Sequence, residues 1–323
     1  MQSTVRKAKV LLGGDYPTTW GKFIGQVQAK EQLLTATRSA KKRGVRMPHT
    51  LLASGTPGIG KTSLALLAAA EMKAGARVVS GKFTMGEARM AFAEMDDGDV
   101  LIIDEIHQMV AGGKAGAEWL LNYLQDGVLL TPLGPEQQPS VTIIGATTDS
   151  GRLPETVLNR FPCQPLLVAY TETEAAKIAL GTAQRIFTEL PMPSATNCRE
   201  IAAAASHNPR VIKGVLEALR DIALVEDGEN YNGKAYDITK ALLWLGLSRD
   251  GLTEGCRRYL LVLLNDFGGR PAGQAAMADR LQEPGGLAYT ERLLMDKGYL
   301  VKGVGGRVLT SDGVRRARAL DAA

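Results

Sequence analysis

The chain has 323 residues, 45% hydrophobic and 22% charged, enough apolar content for two or three domains each with its own core. Its longest apolar runs, such as Val100 to Ile103 and Leu260 to Leu264, are far too short to span a bilayer, and no signal peptide opens it, so a cytoplasmic protein without a membrane partner is expected. Three separated cysteines (Cys163, Cys198, Cys256) and three scattered histidines suggest neither a disulfide framework nor a zinc site. Net charge is +4, unevenly spread: residues 1–50 carry ten Lys/Arg against two Asp/Glu, 51–247 sixteen against twenty-three, and 248–323 twelve against nine. Basic ends around an acidic centre are compatible with a polyanion partner. The cluster Arg38, Lys41, Lys42, Arg43 and Arg46 also sits where a helix should end, where the helix dipole by itself favours cations.

In chain order, the first fourteen residues lack periodicity and read as a flexible arm, with structure starting near Tyr16-Pro17. A helical pattern runs from Val27 to about Lys42, with Val27, Leu33 and Leu34 as its apolar positions, and Pro48 closes that unit. The β-like run Thr50 to Ser54 then leads into Gly55 to Thr62, Gly-Thr-Pro-Gly-Ile-Gly-Lys-Thr, followed by an Ala/Leu-rich helix from Ser63 to Met72. This is the strand, loop and helix setting of a phosphate-binding loop. Gly55, Gly58 and Gly60, with Pro57 among them, let backbone N–H groups converge on an anion, and the helix N-terminus adds its dipole. Lys61 would reach the β- and γ-phosphates of ATP. The Thr62 hydroxyl would serve Mg²⁺, and Ser63 is the weaker candidate for that role.

Arg77 to Ser80 reads as a strand, Glu87 to Glu94 as a helix, and Val100 to Ile103 as a fully buried strand; alternating β and α units predict a parallel sheet. That buried strand ends in Asp104-Glu105, which assigns Asp104 to Mg²⁺ and Glu105 to the water that attacks the γ-phosphate. The strand Val141 to Ala146 ends in Thr147-Thr148, one of whose hydroxyls should face the same phosphate. Leu158-Asn159-Arg160-Phe161 closes a helix before Pro162 and the strand Leu166 to Val168. Helical stretches from Thr171 to Leu180, Asn197 to Ala205 and Asn208-Pro209-Arg210 to about Val225 form a small all-helical domain ending near Leu247. Beyond it, helices Thr253 to Asn265, Gln274 to Leu281 and Leu287 to Lys297 and a glycine-tipped ribbon near Gly303 to Gly306 read as a winged helix, a module that serves DNA binding and protein interaction alike.

The phosphate loop, Asp-Glu-Ile-His at 104–107, Gly-Ala-Thr-Thr at 145–148, Asn-Arg-Phe at 159–161 and Asn-Pro-Arg at 208–210 together resemble the RuvB family of Holliday-junction branch-migration motors. Phe23-Ile24-Gly25-Gln26, Ala40 to Gly44, Phe267-Gly268-Gly269, Gly298-Tyr299-Leu300 and Gly306-Arg307-Val308 extend the likeness over nearly the whole chain. The resemblance implies an α/β fold: an AAA+ P-loop NTPase parallel sheet (1–169), a helical lid (170–247) and a C-terminal winged helix (248–323). It further implies a homo-oligomeric ring, a hexamer, on duplex or branched DNA. Thr148 then looks like the γ-phosphate sensor, Arg160 like an arginine finger supplied to the neighbouring subunit, and Arg210 like the lid arginine. Phe23, Ile24, Tyr170 and Pro209 match positions that enclose the adenine, and Arg307 matches a DNA-phosphate contact at the wing.

Departures from the family pattern are specific. Tyr16 replaces an arginine before proline, Leu158 replaces the first arginine of the finger run, and Val304-Gly305-Gly306-Arg307 replaces Pro-Arg-Gly-Arg at the wing. The interval Gly127 to Ser140 is short and holds Pro132, Pro135 and Pro139, so the family's long RuvA-docking hairpin is not expected there, and a complex with an ordinary RuvA is doubtful. Val110 to Gly116 is instead longer and glycine-rich. Two other readings stay open at this level: a clamp-loader-like ATPase, which would end in a helical collar, and a nucleotide-switched DNA-binding initiator or loader, which would turn over slowly without translocating.

Overall fold

The computed structural model describes residues 17–111, 114–227, 236–282 and 287–322, without the side chains of 111, 114–117 and 227. The arm expected over residues 1–14 and part of the glycine-rich segment at 110–116 lie outside the described residues. Two compact units result: the described residues up to Gly181 with His207–Val211, and Thr182–Ser206 with Ile212 onward.

In the first unit, helix α1 (Val27–Arg43) ends at Gly44, whose left-handed φ of 67° lets its N–H reach the carbonyls of Ala40 and Lys41. Its buried face is Ala29, Leu33, Thr37 and Ala40. Val27, expected to face inward, is 62% exposed, because it opens the helix before the packed turns begin. Strand β1 (Thr50–Ser54), helix α2 (Lys61–Met72), β2 (Ala76–Ser80), α3 (Met85–Ala93) and β3 (Val100–Asp104) follow in the expected alternation. A reciprocal capping box between Thr84 and Glu87 starts α3. After α4 (His107–Ala111) and α5 (Lys114–Asp126) comes an antiparallel ribbon of β4 (Val128–Thr131) and β5 (Gly134–Gln137). Strand β6 (Thr142–Thr147), the short α6 (Glu155–Leu158) and β7 (Leu166–Leu167) complete the unit's sheet elements.

The main sheet has the order β2-β3-β6-β1-β7, and every pairing is parallel. Register places Ala53 opposite Thr147 and Ile103 opposite Gly145. The carboxyl ends of β1, β3 and β6 therefore share one edge, and the residues that follow them, from Gly55, Glu105 and Thr148, emerge side by side. Val100 to Ile103 and all of β6 are buried, as the uninterrupted apolar runs required. Beneath them Phe92 stacks on Tyr123 at 4.4 Å, with Trp119 edge-on to Phe92.

The ribbon β4–β5 is as short as expected, but it uses proline within its ladder. Prolines were expected to work against a long arm, and the ribbon is short, four residues per strand, yet Pro135 is itself part of the ladder opposite Leu130. The Gln138 N–H bonds to the Gly127 carbonyl, so the antiparallel alternation leaves the 130–135 pair non-hydrogen-bonded, a position that asks no N–H of proline.

The second unit holds α8 (Ala195–Ala204), most of α9 (Pro209–Asp227) and α10 (Ile238–Trp244); α7 (Glu172–Ile186) begins in the first unit. Beyond them stand α11 (Glu254–Asn265), α12 (Gln274–Leu281), α13 (Ala288–Asp296), the ribbon β8 (Leu300–Gly303) and β9 (Gly306–Leu309), and α14 (Ser311–Asp321). Tyr259, Leu260, Leu263, Met277, Leu294 and Leu300 form their shared core. Helix α14 was not anticipated: its Arg-rich sequence hides a narrow seam in which Gly313 and Ala317 are buried.

Candidate active site

The phosphate loop joins β1 to α2 through two residues that need positive φ, Gly58 at 79° and Gly60 at 101°. Both are also required for space. A Cβ on Gly60 would lie 2.8 Å from Cζ of Phe23, and one on Gly58 would lie 2.7 Å from Oδ1 of Asn208 and 2.9 Å from Cβ of Arg210. The loop is thus enclosed by residues far away in sequence, among them Phe23, expected against the base, and Arg210, expected as the lid arginine. Tyr170 is buried and donates its hydroxyl to the Ile59 carbonyl at 2.9 Å, and burial pushes its pKa up, keeping the proton needed for that bond. Asn208 donates from Nδ2 to the Pro57 carbonyl at 2.9 Å. Ile24 and Pro209 are half-buried, and the Arg210 side chain is exposed. Gln26, in a left-handed conformation, accepts from the Val168 N–H and donates to the Val168 carbonyl, tying the start of α1 to the strand before Tyr170.

At the loop's end Lys61 is 6% exposed and its ammonium donates to Oγ of Ser54 at 2.9 Å; Thr62 and Ser63 follow, half-buried, in the first turn of α2. Ser54 in turn donates to the Thr56 carbonyl at 2.8 Å. This serine was not singled out in sequence, because a Ser ending an apolar strand carries no motif.

Across the same sheet edge, Asp104 closes β3 and accepts the N–H of Glu105 at 3.1 Å. Glu105 has φ 50°, a left-handed backbone on a non-glycine residue, which is the kind of strain that clusters at functional sites. Gly81 is packed against it so closely that a Cβ there would meet the Glu105 carbonyl oxygen at 2.0 Å. Oε2 of Glu105 accepts from the N–H of Thr148 at 3.1 Å and from its hydroxyl at 2.8 Å. The structure thereby brings together the expected water-activating carboxylate and the expected phosphate sensor.

Arg160 stands apart from this cluster. It lies two residues past the end of α6, and its guanidinium donates to the Thr156 carbonyl and to Gln125, both at 2.5 Å. Arg307, expected as an open cation at the wing, is engaged by protein groups: its guanidinium forms a two-pronged pair with Glu291, both contacts at 2.9 Å, and also bonds Gln274. Glu291 is 3% exposed and accepts the Tyr259 hydroxyl as well, so a DNA phosphate would compete with a buried carboxylate for this arginine.

A phosphate loop on β1, acidic residues on β3, a threonine on β6 and a separate winged helix define an AAA+ P-loop ATPase, an enzyme that binds and hydrolyses nucleotide. Residues 16–167 match the Holliday junction DNA helicase RuvB P-loop domain and 249–317 the RuvB C-terminal winged helix domain. The chain belongs to the RuvB family. It is 32% identical over 306 residues to the Holliday junction branch migration complex subunit RuvB of Nitratiruptor sp., covering 91% of this chain and 88% of that one. To the Anaeromyxobacter sp. (strain K) subunit it is 33% identical, covering 90% and 86%. The Thermotoga maritima RuvB Holliday junction branch migration motor superposes with a TM-score of 0.80 at 29% identity, covering 95% of this chain and 99% of that one. Among the described residues no helix is long and apolar enough to cross a membrane.

Proposed function

We propose that this protein is an ATP-driven motor that translocates duplex DNA and drives branch migration of Holliday junctions in recombination and repair, acting as a hexameric ring in the cytoplasm. The observation that carries this reading is a hydrolytic centre, Glu105 held beside Thr148 on the phosphate-loop edge of the sheet, in a chain that continues into a winged helix and aligns with RuvB along nine-tenths of its length. The clamp-loader reading required a helical collar at the C-terminus; a ribbon flanked by helices stands there instead. The division into an ATPase domain (1–169), a lid (170–247) and a winged helix (248–323) is part of the same proposal.

In this mechanism backbone N–H groups of Gly58 to Lys61 and the Lys61 ammonium hold the phosphates. Glu105 orients a water and takes its proton as the oxygen attacks the γ-phosphorus. The bond from that phosphorus to the β–γ bridging oxygen breaks, releasing ADP and phosphate. Lys61 exchanges Ser54 for phosphate oxygens, and Thr148 offers its hydroxyl to the γ-phosphate. The residues present fit Mg²⁺: the available donors, Thr62 and Asp104, are hard oxygens. Among the described residues no three His, Cys, Asp or Glu side chains gather as a metal cage, which suits an ion held largely by phosphate and water. When bound, it would neutralise charge on the phosphates. Arg160 completes the site of the adjacent subunit, Arg210 reports nucleotide to the lid, and Phe23, Ile24, Tyr170 and Pro209 enclose the base. At the wing, exposed Lys302 shares the DNA backbone with whatever Arg307 contributes beyond its pair with Glu291.

The test is steady-state ATPase activity with and without DNA. Turnover should rise several-fold with duplex or four-way junction DNA, fall steeply with salt, and accompany a six-subunit species in sedimentation. Slow, DNA-indifferent turnover would favour the initiator reading. The short β4–β5 ribbon supports a further element of the proposal, that an ordinary RuvA does not bind stably. Leu133, fully exposed at its tip, and Leu130, 47% exposed, favour a different adaptor over none. Calorimetry with such a RuvA at micromolar concentration should show no binding.

A further inference from the structure

One neighbour of the Glu105 carboxylate has no role in the reading above. Nδ1 of His107, the first residue of α4, lies 3.2 Å from Oε2 of Glu105 and 2.9 Å from Oγ1 of Thr147. His107 is 9% exposed and Thr147 is fully buried. Oγ1 of Thr147 also accepts the N–H of Asp149 at 3.0 Å, so the ring is anchored to the same turn that carries Thr148. Three groups thus converge on one carboxylate oxygen: the N–H of Thr148, its hydroxyl, and the imidazole. A carboxylate oxygen only accepts, so its approach favours the tautomer with hydrogen on Nδ1; that single N–H is bonded to Oγ1 of Thr147 at 2.9 Å and lies against the carboxylate at 3.2 Å.

The hydroxyl of Thr148 carries a single proton. It cannot donate at once to Glu105, as it does here at 2.8 Å, and to a γ-phosphate oxygen. When nucleotide draws that hydroxyl away, Glu105 loses its shortest contact at the moment its carboxylate has to face water. The Thr148 N–H and His107 are what remain on Oε2. The Glu105 backbone, left-handed and pressed against Gly81, is itself held in place, so any drift of the carboxylate comes from its side-chain torsions.

We propose that His107 is a positioning residue, which keeps the Glu105 carboxylate in its working orientation once Thr148 has turned to the phosphate. It acts through Glu105 and does not touch ATP. The inference rests on Glu105 being the water-activating group.

The experiment compares His107→Leu, similar in volume but without a donor, with His107→Asn, whose side-chain N–H falls near the place of Nδ1. His107→Ala serves as a second donor-less variant should the leucine fail to fold. Each is read by melting temperature, by affinity for a fluorescent ATP analogue, and by kcat and KM for ATP in the full-length protein. The donor-less variant should bind nucleotide within about threefold of wild type while kcat falls about 10- to 100-fold, the size of loss seen when a group that orients a metal-ligating side chain is removed. The asparagine should restore most of kcat. In a Glu105→Gln background, itself slowed about 10²- to 10⁴-fold, removing His107 should cost nothing further. A donor-less variant with kcat within twofold of wild type overturns the proposal, as does an asparagine variant that folds, binds ATP and is as slow as the leucine, or a full additional loss in the Glu105→Gln background. Wild-type turnover by Glu105→Gln alone would instead remove Glu105 from the chemistry, and the proposal with it, whatever the histidine variants do.

Discussion

At the scale of single residues, the site depends on positions where a side chain has no room. Gly81 belongs to no motif, yet its Cα faces the carbonyl of Glu105 at a distance that excludes even a methyl group. Its φ lies outside the left-handed region, so the clash alone makes it intolerant. Gly81→Ala should cost about 1–3 kcal/mol, as overpacking does elsewhere, and should lower kcat more than nucleotide affinity because the strained turn carrying Glu105 must shift. Urea denaturation and ATPase kinetics on the same preparation check both halves. Unchanged kinetics would mean that the turn relaxes without moving the carboxylate.

At the scale of elements, the parallel sheet is closed at its amino-terminal edge by a histidine. His49, immediately before β1, is 5% exposed, and its Nδ1 accepts the N–H of Ile143 on β6 at 2.9 Å. Burial, helped by the nearby Arg46 charge, lowers its pKa from 6.5 to about 3. The folded state thus excludes a proton that the unfolded chain binds. Stability from this group is complete above the unfolded pKa of about 6.5 and declines as pH falls toward 3, at up to about 1.4 kcal/mol per unit. The urea midpoint should drop between pH 6.5 and 5, above the range where most carboxylates titrate. His49→Asn, which keeps an acceptor but cannot titrate, should flatten that slope.

At the scale of the whole molecule, the proposed ring divides one catalytic centre between two chains. In that ring Lys61 and Glu105 would act within a subunit and Arg160 in its neighbour, so Lys61→Ala and Arg160→Ala would break opposite halves of an interface. Equimolar mixing of the two inactive variants should restore ATPase activity to about a quarter of the wild-type level, the share of interfaces expected to pair two intact halves if subunits assort at random. Mixed oligomers no more active than either parent would show that Arg160 does not act across the interface.

The motif residues and the alternation of elements were legible because each is a local constraint. A phosphate loop needs glycines at fixed spacing, a buried parallel strand needs an unbroken apolar run, and acidic residues at the end of such a run have little reason to be there except chemistry. Local patterns also gave the winged helix, apart from α14, whose apolar side, with Gly313 and Ala317 buried and Val314 and Leu320 against the core, was passed over among its arginines. What the tertiary structure alone decided is which distant groups meet. Ser54 takes the Lys61 ammonium, Asn208 reaches the loop at Pro57, His107 and Thr148 converge on Glu105, and Glu291 engages the arginine expected to lie open at the wing. None of these pairings follows from spacing along the chain, because sheet order and register set them: β6 inserts between β3 and β1, and only that insertion brings residues 105 and 148 within one hydrogen bond of each other.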